Sequence, residues 1–207
     1  MQLQKLLLAT SNPGKAEELR VALVGLQCEI LNLHDLPPDL SSGAPIESGT
    51  TYAENARIKA EYWHERTGLP VLADDSGIVV DALVGELGVA TRRWGAGEAV
   101  TDQEWLDYFL ERMRDVPPAK RTAEFVCVLA LVESPTDIQI FTGRVRGVIT
   151  LDIAASLKPG IPLSSVFQPL GSDKVFAAMS DVEKNQFSHR GRALTTLRQF
   201  LHSLSSQ

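Results

Sequence analysis

Two polar segments, one near each end of the chain, contain the residue types that bind phosphate and a base. Ser11-Asn12-Pro13-Gly14-Lys15 follows the apolar run 6–9 and precedes a helical pattern. Ser188-His189-Arg190 places a hydroxyl, an imidazole and a guanidinium at the start of another helical pattern. Because the N-terminus of a helix attracts anions, the first segment predicts a phosphate site. Together the two segments indicate a site that holds a nucleotide at both ends.

Two adjacent carboxylates, Asp74 and Asp75, follow an apolar run and precede Ser76-Gly77. Neighbouring negative charges repel each other, and a bound cation relieves that repulsion. Glu47, in a preceding loop rich in Ser, Gly and Pro, is a third candidate oxygen ligand for magnesium. Taken alone, the segment is more typical of a solvated acidic turn, which stays open as the alternative.

Asn55 and Lys59 lie four residues apart in a helical segment, so one helix face can direct an amide and an ammonium at one ligand. Lys15 opposes the dipole of its own helix, which favours an anionic partner, and Glu18 is its candidate ion-pair partner. The alternative for each is an exposed polar side chain. For Ser188 the alternative is a helix cap.

The composition indicates a globular enzyme. The chain has 207 residues, of which 44% are apolar and 22% charged, and its formal net charge is -6. Without a long basic run, a nucleic-acid polymer is not an expected partner. Cys28 and Cys127 are expected to be buried free thiols. The first apolar run is too short for a signal peptide and none reaches membrane-spanning length, so we expect a cytoplasmic protein without a membrane partner.

The hydrophobic periodicity predicts a mixed α/β fold. Strands are expected over 5–9, 28–33, 71–73 and 78–80, the last two on either side of the acidic segment, and 121–132 with 138–150 predicts a long antiparallel pair. Helices are expected from Lys15 to Leu26, over 51–66, from 101 to 113 and after Ser188, with a loop over 40–49. Periodicity leaves the strand order open.

Taken in order along the chain, these segments resemble the inosine triphosphate pyrophosphatase family, a Ham1-like group that acts on non-standard purine nucleoside triphosphates. The resemblance covers nearly the whole chain, and the stretch 188–194 is its most specific part. It rests on Ser11, Asn12, Lys15, Glu18, Asn55, Lys59, Ala73-Asp74-Asp75-Ser76-Gly77, Arg93-Trp94, Glu183-Lys184-Asn185 and Ser188-His189-Arg190. It implies one domain over 1–207, with an elongated mixed central sheet flanked by helices, two lobes around a nucleotide-binding cleft, and a homodimer.

The resemblance also implies a reaction and a set of residue roles. A nucleoside triphosphate such as ITP, XTP or dITP is split between its α and β phosphates with Mg²⁺ as cofactor. Asp75 and Lys59 are the implied catalytic residues, and Glu47, Asp74 and Asp75 the implied metal ligands. The division of roles between the two aspartates stays open. The implied substrate contacts come from Thr10, Ser11, Asn12, Lys15, Asn55, Ser76, Arg93, Lys184, Ser188, His189 and Arg190.

The base end departs from the family pattern. The family has a Phe-Gly-Tyr/Trp-Asp-Pro segment where this chain reads Ile161-Pro162-Leu163-Ser164-Ser165. Two aromatic rings that stack on the base are thereby replaced by aliphatic residues. Ser164 stands in place of an aspartate that accepts a hydrogen bond from protonated N1, and a serine both donates and accepts. Arg92 adds a cation nearby. We therefore expect a relaxed or shifted base specificity.

Three hypotheses follow for the function. The first is a magnesium-dependent nucleoside triphosphate pyrophosphatase with altered base specificity. The second is a nucleotide-binding sensor that has lost catalysis, and the third is a pyrophosphatase for pyrimidine or modified nucleotides. Trp94, Phe167 and Phe176 are candidates to supply the missing aromatic ring.

Overall fold

A computed structural model describes residues 3–95 and 99–205 of the chain, and a six-stranded mixed sheet crosses it. The spatial order of the strands is β2-β1-β3-β4-β5-β6. Strand β1 runs parallel to β2 and β3, whereas β3, β4, β5 and β6 pair antiparallel in succession. The predicted mixed α/β class is confirmed. The strands are β1 (Lys5–Leu8), β2 (Glu29–Asn32), β3 (Val71–Val80), β4 (Thr122–Ser134), β5 (Asp137–Ile149) and β6 (Phe167–Pro169).

The helices begin where the sequence carries capping residues. The Asn12 side chain caps the first helix, and Thr51 with Glu54 forms a capping box at the third. The first helix ends four residues before the predicted Leu26, and Gly25 beyond it adopts a φ of 89°, a left-handed conformation that interrupts a helix. The helices are α1 (Pro13–Ala22), α2 (Pro38–Ser41), α3 (Tyr52–Thr67), α4 (Asp102–Arg112), α5 (Asp181–Phe187) and α6 (His189–Ser205).

Helices cover both faces of the sheet. On one face, α1 and α6 pack over apolar residues that include Leu72 and Leu129. On the other, α3 packs over the neighbouring positions Ala73 and Ala130. A third core closes the far end of β3, β4 and β5 with α4, β6 and the segment 163–179. Because successive strand residues point to opposite faces, β3 contributes alternately to two separate cores.

One close contact fixes helix α6 against the sheet. A Cβ atom at Gly143 in β5 would lie 2.0 Å from the backbone oxygen of His189 and 2.6 Å from the backbone nitrogen of Ala193. Only glycine permits this approach. The first residues of α6 are therefore held directly on β5, and this sets the position of His189 and the residues after it.

The described part of the chain contains no helix with both the length and the apolar character needed to cross a bilayer. Both cysteines are free, as expected, but only Cys127 is fully buried and Cys28 is half-buried. Cys28 lies just before β2 rather than inside it, which leaves its side chain at the edge of the core.

Candidate functional site

The site lies where strand β1 ends and β3 continues. In the described part of the chain β1 pairs with β3 only at Val71 and Leu72, and the backbone N–H of Ala9 donates to Leu72 at 2.9 Å. Asp74 and Asp75 follow on the same edge. A cleft of about 730 Å³ opens there, a size typical of small-molecule sites.

The prediction that Asp74 and Asp75 form a turn between two strands is wrong. Strand β3 is continuous from Val71 to Val80, and both aspartates pair with β4, opposite Leu129 and Val128. Both are buried, with 1% and 6% of their surfaces exposed. The strand tolerates them because cations from the flanking helices compensate each carboxylate. Because successive side chains of a strand point to opposite faces, Asp74 points towards α1 and α6, and Asp75 points towards α3.

Asp74 is held by cations from the two ends of the chain. Lys15 Nζ lies 3.1 Å and Arg190 Nη2 3.3 Å from its Oδ2 atom. Ser76 Oγ donates to the same oxygen at 3.3 Å and accepts from Arg190 Nη2 at 3.1 Å. Burial acts to raise the pKa of Asp74, but the cations Lys15, Arg190 and Lys59 together outweigh it and hold the pKa below its ordinary value. The carboxylate is therefore ionised.

Asp75 is held by helix α3. Asn55 Nδ2 and Lys59 Nζ each donate to it at 3.3 Å, so the predicted shared helix face is directed at this carboxylate. Lys59 Nζ also lies 3.4 Å from Glu47 Oε1. Burial raises the pKa of Asp75, and Lys59 offsets only part of that effect. Burial lowers the pKa of Lys59, but Asp74 and Asp75 outweigh it and raise the pKa above the ordinary value.

The predicted phosphate loop is tied to the base end by Asn12. Its side chain accepts from the backbone N–H of Lys15 at 3.0 Å and donates to the carbonyl of Gly160 at 2.8 Å. The N–H of Gly160 donates to Asp102 of α4 at 2.6 Å. Thr10, Ser11, Asn12 and Lys15 line the cleft. The loop, α4 and the segment after Gly160 are therefore fixed to one another.

Glu18 does not pair with Lys15 as predicted. It forms ion pairs with Lys184 of α5 and Arg190 of α6, whose side chains are 4% and 3% exposed. Burial raises the pKa of Glu18, but the two cations together outweigh it, so the pKa lies below its ordinary value. Burial lowers the pKa of Lys184, and Glu18 only partly offsets this. In the sequence, only its spacing of one helical turn from Lys15 indicated that Glu18 belongs to the site.

Three rings lie at the base end, of which His189 and Phe176 were predicted there and Phe125 was not. The His189 imidazole stacks on Phe125 of β4 at 4.6 Å between centroids, and Phe176 lies 6.1 Å away. Burial, together with Arg190 and Lys184, lowers the pKa of His189 well below 6.5, so the ring is neutral. Lys184 Nζ donates to Ser164 Oγ at 3.4 Å.

Of the three aromatic candidates, Phe176 lines the cleft, whereas Trp94 and Phe167 pack in the adjoining core. Trp105 of α4 also lines the cleft and was missed, because its spacing in α4 is that of an ordinary core residue. Ile161 and Leu163 replace rings in the family pattern, and both line the same wall.

The structure gathers nearly all the predicted site residues in one cleft. Asn55 does not line the cleft, but its side chain donates to Asp75, which does. The Ser188 hydroxyl instead accepts from the N–H of Gly191 at 2.9 Å and caps α6, which is the alternative given above. The predicted site residues that line the cleft are Thr10, Ser11, Asn12, Lys15, Glu47, Lys59, Asp74, Asp75, Ser76, Arg93, Lys184, His189 and Arg190.

The three predicted metal ligands offer the oxygen donors that magnesium prefers. Asp74 Oδ1 is buried without a hydrogen-bond partner, which leaves one carboxylate oxygen available to a ligand. Glu47 and Asp75 converge on the Lys59 ammonium. Within residues 3–95 and 99–205, no three Asp, Glu, His or Cys side chains are grouped closely enough to hold a metal ion as they stand. The donor chemistry therefore fits a hard divalent cation, provided Glu47 and Asp75 leave Lys59.

Comparison with known proteins matches residues 6–200 to the Ham1 family. A dITP/XTP pyrophosphatase from Thermus thermophilus is 43% identical over 193 residues, covering 93% of this chain and 89% of that protein. Another dITP/XTP pyrophosphatase, from Oceanobacillus iheyensis, is 37% identical over 205 residues, covering 98% of this chain and 100% of that protein. Among solved structures, a HAM1 protein from Coxiella burnetii has a TM-score of 0.80 at 31% identity and covers 99% and 100%. By sequence and by fold, the chain belongs to the Ham1 family.

Proposed function

We propose that this protein is a nucleoside triphosphate pyrophosphatase that hydrolyses non-standard purine nucleotides such as ITP, XTP and dITP to the monophosphate and pyrophosphate. Relatives named dITP/XTP pyrophosphatase align with 93% to 98% of the chain and support the reaction. The observation that carries the proposal is the buried Asp74–Asp75 pair, compensated from both faces of β3 by Lys15, Arg190 and Lys59.

The phosphate end supplies cations and one carboxylate for hydrolysis. Lys15 and Lys59 exchange their carboxylate partners for phosphate oxygens when the triphosphate enters, which places two ammonium groups on the anhydride. Asp75 then accepts a hydrogen bond from the attacking water and orients it, because Asn55 still holds the carboxylate in place. Glu47, Asp74 and Asp75 would hold Mg²⁺, which would neutralise the phosphates and stabilise negative charge on the leaving pyrophosphate.

The base end of the cleft binds the base through ring stacking and hydrogen-bond donors. The neutral His189 ring and Phe176 offer flat apolar surface to a purine. Lys184 directs a cationic donor towards the same end, which suits a base that carries an oxo group rather than an amino group. Ser164 adds a hydroxyl that both donates and accepts. The proposal therefore includes a broader range of bases than an aspartate at that position permits.

Pyrophosphate release tests this function. We expect magnesium-dependent release from ITP and XTP, and a loss of about 100-fold or more on Asp75→Asn, because the amide is not a proton acceptor for water. Glu61→Gln, on the exposed side of α3, is the control and keeps full activity. Nucleotide-induced thermal stabilisation without turnover in the wild type would favour the sensor instead. A preference for pyrimidine triphosphates would favour the third hypothesis.

The proposal extends to cofactor, assembly and location. Mg²⁺ is the proposed cofactor, residues 1–207 act as one two-lobed domain, and the protein is a cytoplasmic homodimer with no nucleic-acid polymer as partner. The oxygen-only donor set supports magnesium over softer metals. Light scattering at micromolar concentration tests the dimer, and a monomer mass at that concentration would refute it.

A further inference from the structure

Two buried polar atoms at the base end of the cleft lack a hydrogen-bond partner. They are Nε1 of Trp105, a residue 1% exposed, and Nδ1 of His189, a residue 5% exposed. Both residues line the cleft. Native proteins leave few buried polar groups unpaired, because each costs about 1–3 kcal/mol. Because both residues line the cleft, their unpaired atoms are candidates to bind its ligand.

The Trp105 indole is held rigidly. It stacks on Phe109 with 5.8 Å between ring centroids and 9° between planes, and it meets the edge of Trp94 at 6.1 Å. Leu163 and Phe176 belong to the same core cluster. Because α4 and these rings fix the indole, the direction of its N–H bond is fixed as well. The site thus presents a preorganised donor.

The chemistry of the donors restricts the ligand group. An indole N–H donates and never accepts, and the Lys184 ammonium likewise only donates. Lys184 contacts Ser164 Oγ, while helix α4, which carries Trp105, contacts the same turn, Pro162–Ser165. Donors from α4 and α5 therefore flank the segment that replaces the aromatic residues of the family pattern. Carbonyl oxygens of a base match both donors, whereas an exocyclic amino group would oppose them.

We propose that Trp105 Nε1–H donates a hydrogen bond to a carbonyl oxygen of the substrate base and so helps to select oxo-substituted bases. This inference rests on the proposed function. Trp105 thereby takes over part of the recognition that the changed segment at Ile161–Ser165 no longer supplies.

Trp105→Phe removes the donor and keeps an aromatic ring. XTP carries carbonyls on both sides of N1, so we expect its kcat/KM to fall about 10- to 100-fold, the loss of one buried hydrogen bond. Ribose 5-triphosphate has the same phosphates without a base, and its kcat/KM stays unchanged. Trp94→Phe is the matched control, since Trp94 packs against Trp105 without lining the cleft, and it leaves both substrates unaffected. An equal loss for both substrates, or none for either, would overturn the inference.

Binding of xanthosine monophosphate, measured by calorimetry, tests the same contact without turnover. Its Kd rises about 10- to 100-fold in Trp105→Phe. Replacement of Trp105 by β-(3-benzothienyl)alanine, which has sulfur in place of N–H and nearly the same shape, gives the same rise if the donor matters. An unchanged Kd in both variants refutes the contact. A wild type that releases no pyrophosphate from any nucleoside triphosphate refutes the proposed function instead, so the two failures are distinguishable.

Discussion

Replacing Glu18 by glutamine tests whether the buried ion-pair cluster stabilises the fold. Glu18 joins α1 to Lys184 and Arg190, and no more than 13% of any of these three side chains is exposed. The Glu18→Gln side chain would keep the shape and one accepting oxygen, but it would leave the buried Lys184 without a neutralising charge and Arg190 with Asp74 alone. Breaking a buried ion pair by removing one partner costs about 3–5 kcal/mol. Because the amide still accepts a hydrogen bond, we expect about 3 kcal/mol, the lower end of that range.

The assay is thermal and urea unfolding of both proteins across pH. For a chain of this length, about 3 kcal/mol lowers Tm by roughly 6–12 °C. The Arg190 and Lys184 cations hold the pKa of Glu18 below its ordinary 4.5 against the effect of burial. A lowered native pKa gives stability that is complete above 4.5 and is lost as the pH falls towards the native value. The difference between wild type and Glu18→Gln is therefore constant near neutral pH and narrows in acid.

The exposed pair Arg57–Glu61 is the matched control. Its side chains are 56% and 32% exposed, so Glu61→Gln is expected to cost at most about 0.5 kcal/mol. A Glu18→Gln protein as stable as the wild type, or as the Glu61→Gln control, would refute the reasoning. A difference that persists unchanged below the native pKa of Glu18 would refute the electrostatic cause.

Three further outcomes are expected. Gly143→Ala places a methyl group 2.0 Å from the backbone oxygen of His189, so it should destabilise the fold by about 1–3 kcal/mol in thermal unfolding, and an unchanged Tm would contradict the close contact. The native protein should react with a thiol reagent at Cys28 alone, because burial raises the pKa of Cys127 to about 12; two fast thiols would disprove this. The ring resonances of His189 should stay constant in NMR spectra from about pH 6 to 8, and titration in that range would show that the ring is not buried as described.

Elements set by local residues could be predicted from the sequence. Residues 51–66 were predicted as a helix and α3 spans Tyr52–Thr67, because Thr51 and Gly68 mark its ends by side-chain capping and a left-handed φ of 66°. The long antiparallel pair was predicted within two residues at each end, because its alternating pattern and its Pro-containing turn are local signals. The helix after Ser188 was also predicted at its correct start.

The acidic segment shows where local reasoning fails. Asp-Asp-Ser-Gly has the composition of a turn, and nothing within it reveals that the segment is the middle of a strand. Strand β3 continues because β4 pairs with it throughout and because Lys15, Arg190 and Lys59 reach it from three helices. These partners lie up to 116 residues away in sequence.

The partners of Glu18 and two rings of the base end, Trp105 and Phe125, were missed for the same reason. Arg190 lies 172 residues from Glu18, and no spacing rule connects them. Trp105 and Phe125 look like ordinary core residues in α4 and β4, and only the packing of α4 against Pro162–Ser165 brings Trp105 to the cleft. The family resemblance named most of the residues that the structure places around the cleft, but not their pairing.

The ion pair between Glu18 and Arg190 also bears on how the protein is made. The 172 residues that separate them take about 10–30 s to synthesise, at roughly 5–20 residues per second. During that interval helix α1 has emerged from the ribosome with a carboxylate that has no cation to bury against. Strands β3 to β5 are therefore synthesised before the helix α6 that covers one of their faces. The nucleotide cleft is assembled only when α5 and α6 dock, so a partly synthesised chain has no complete site with which to capture nucleotides.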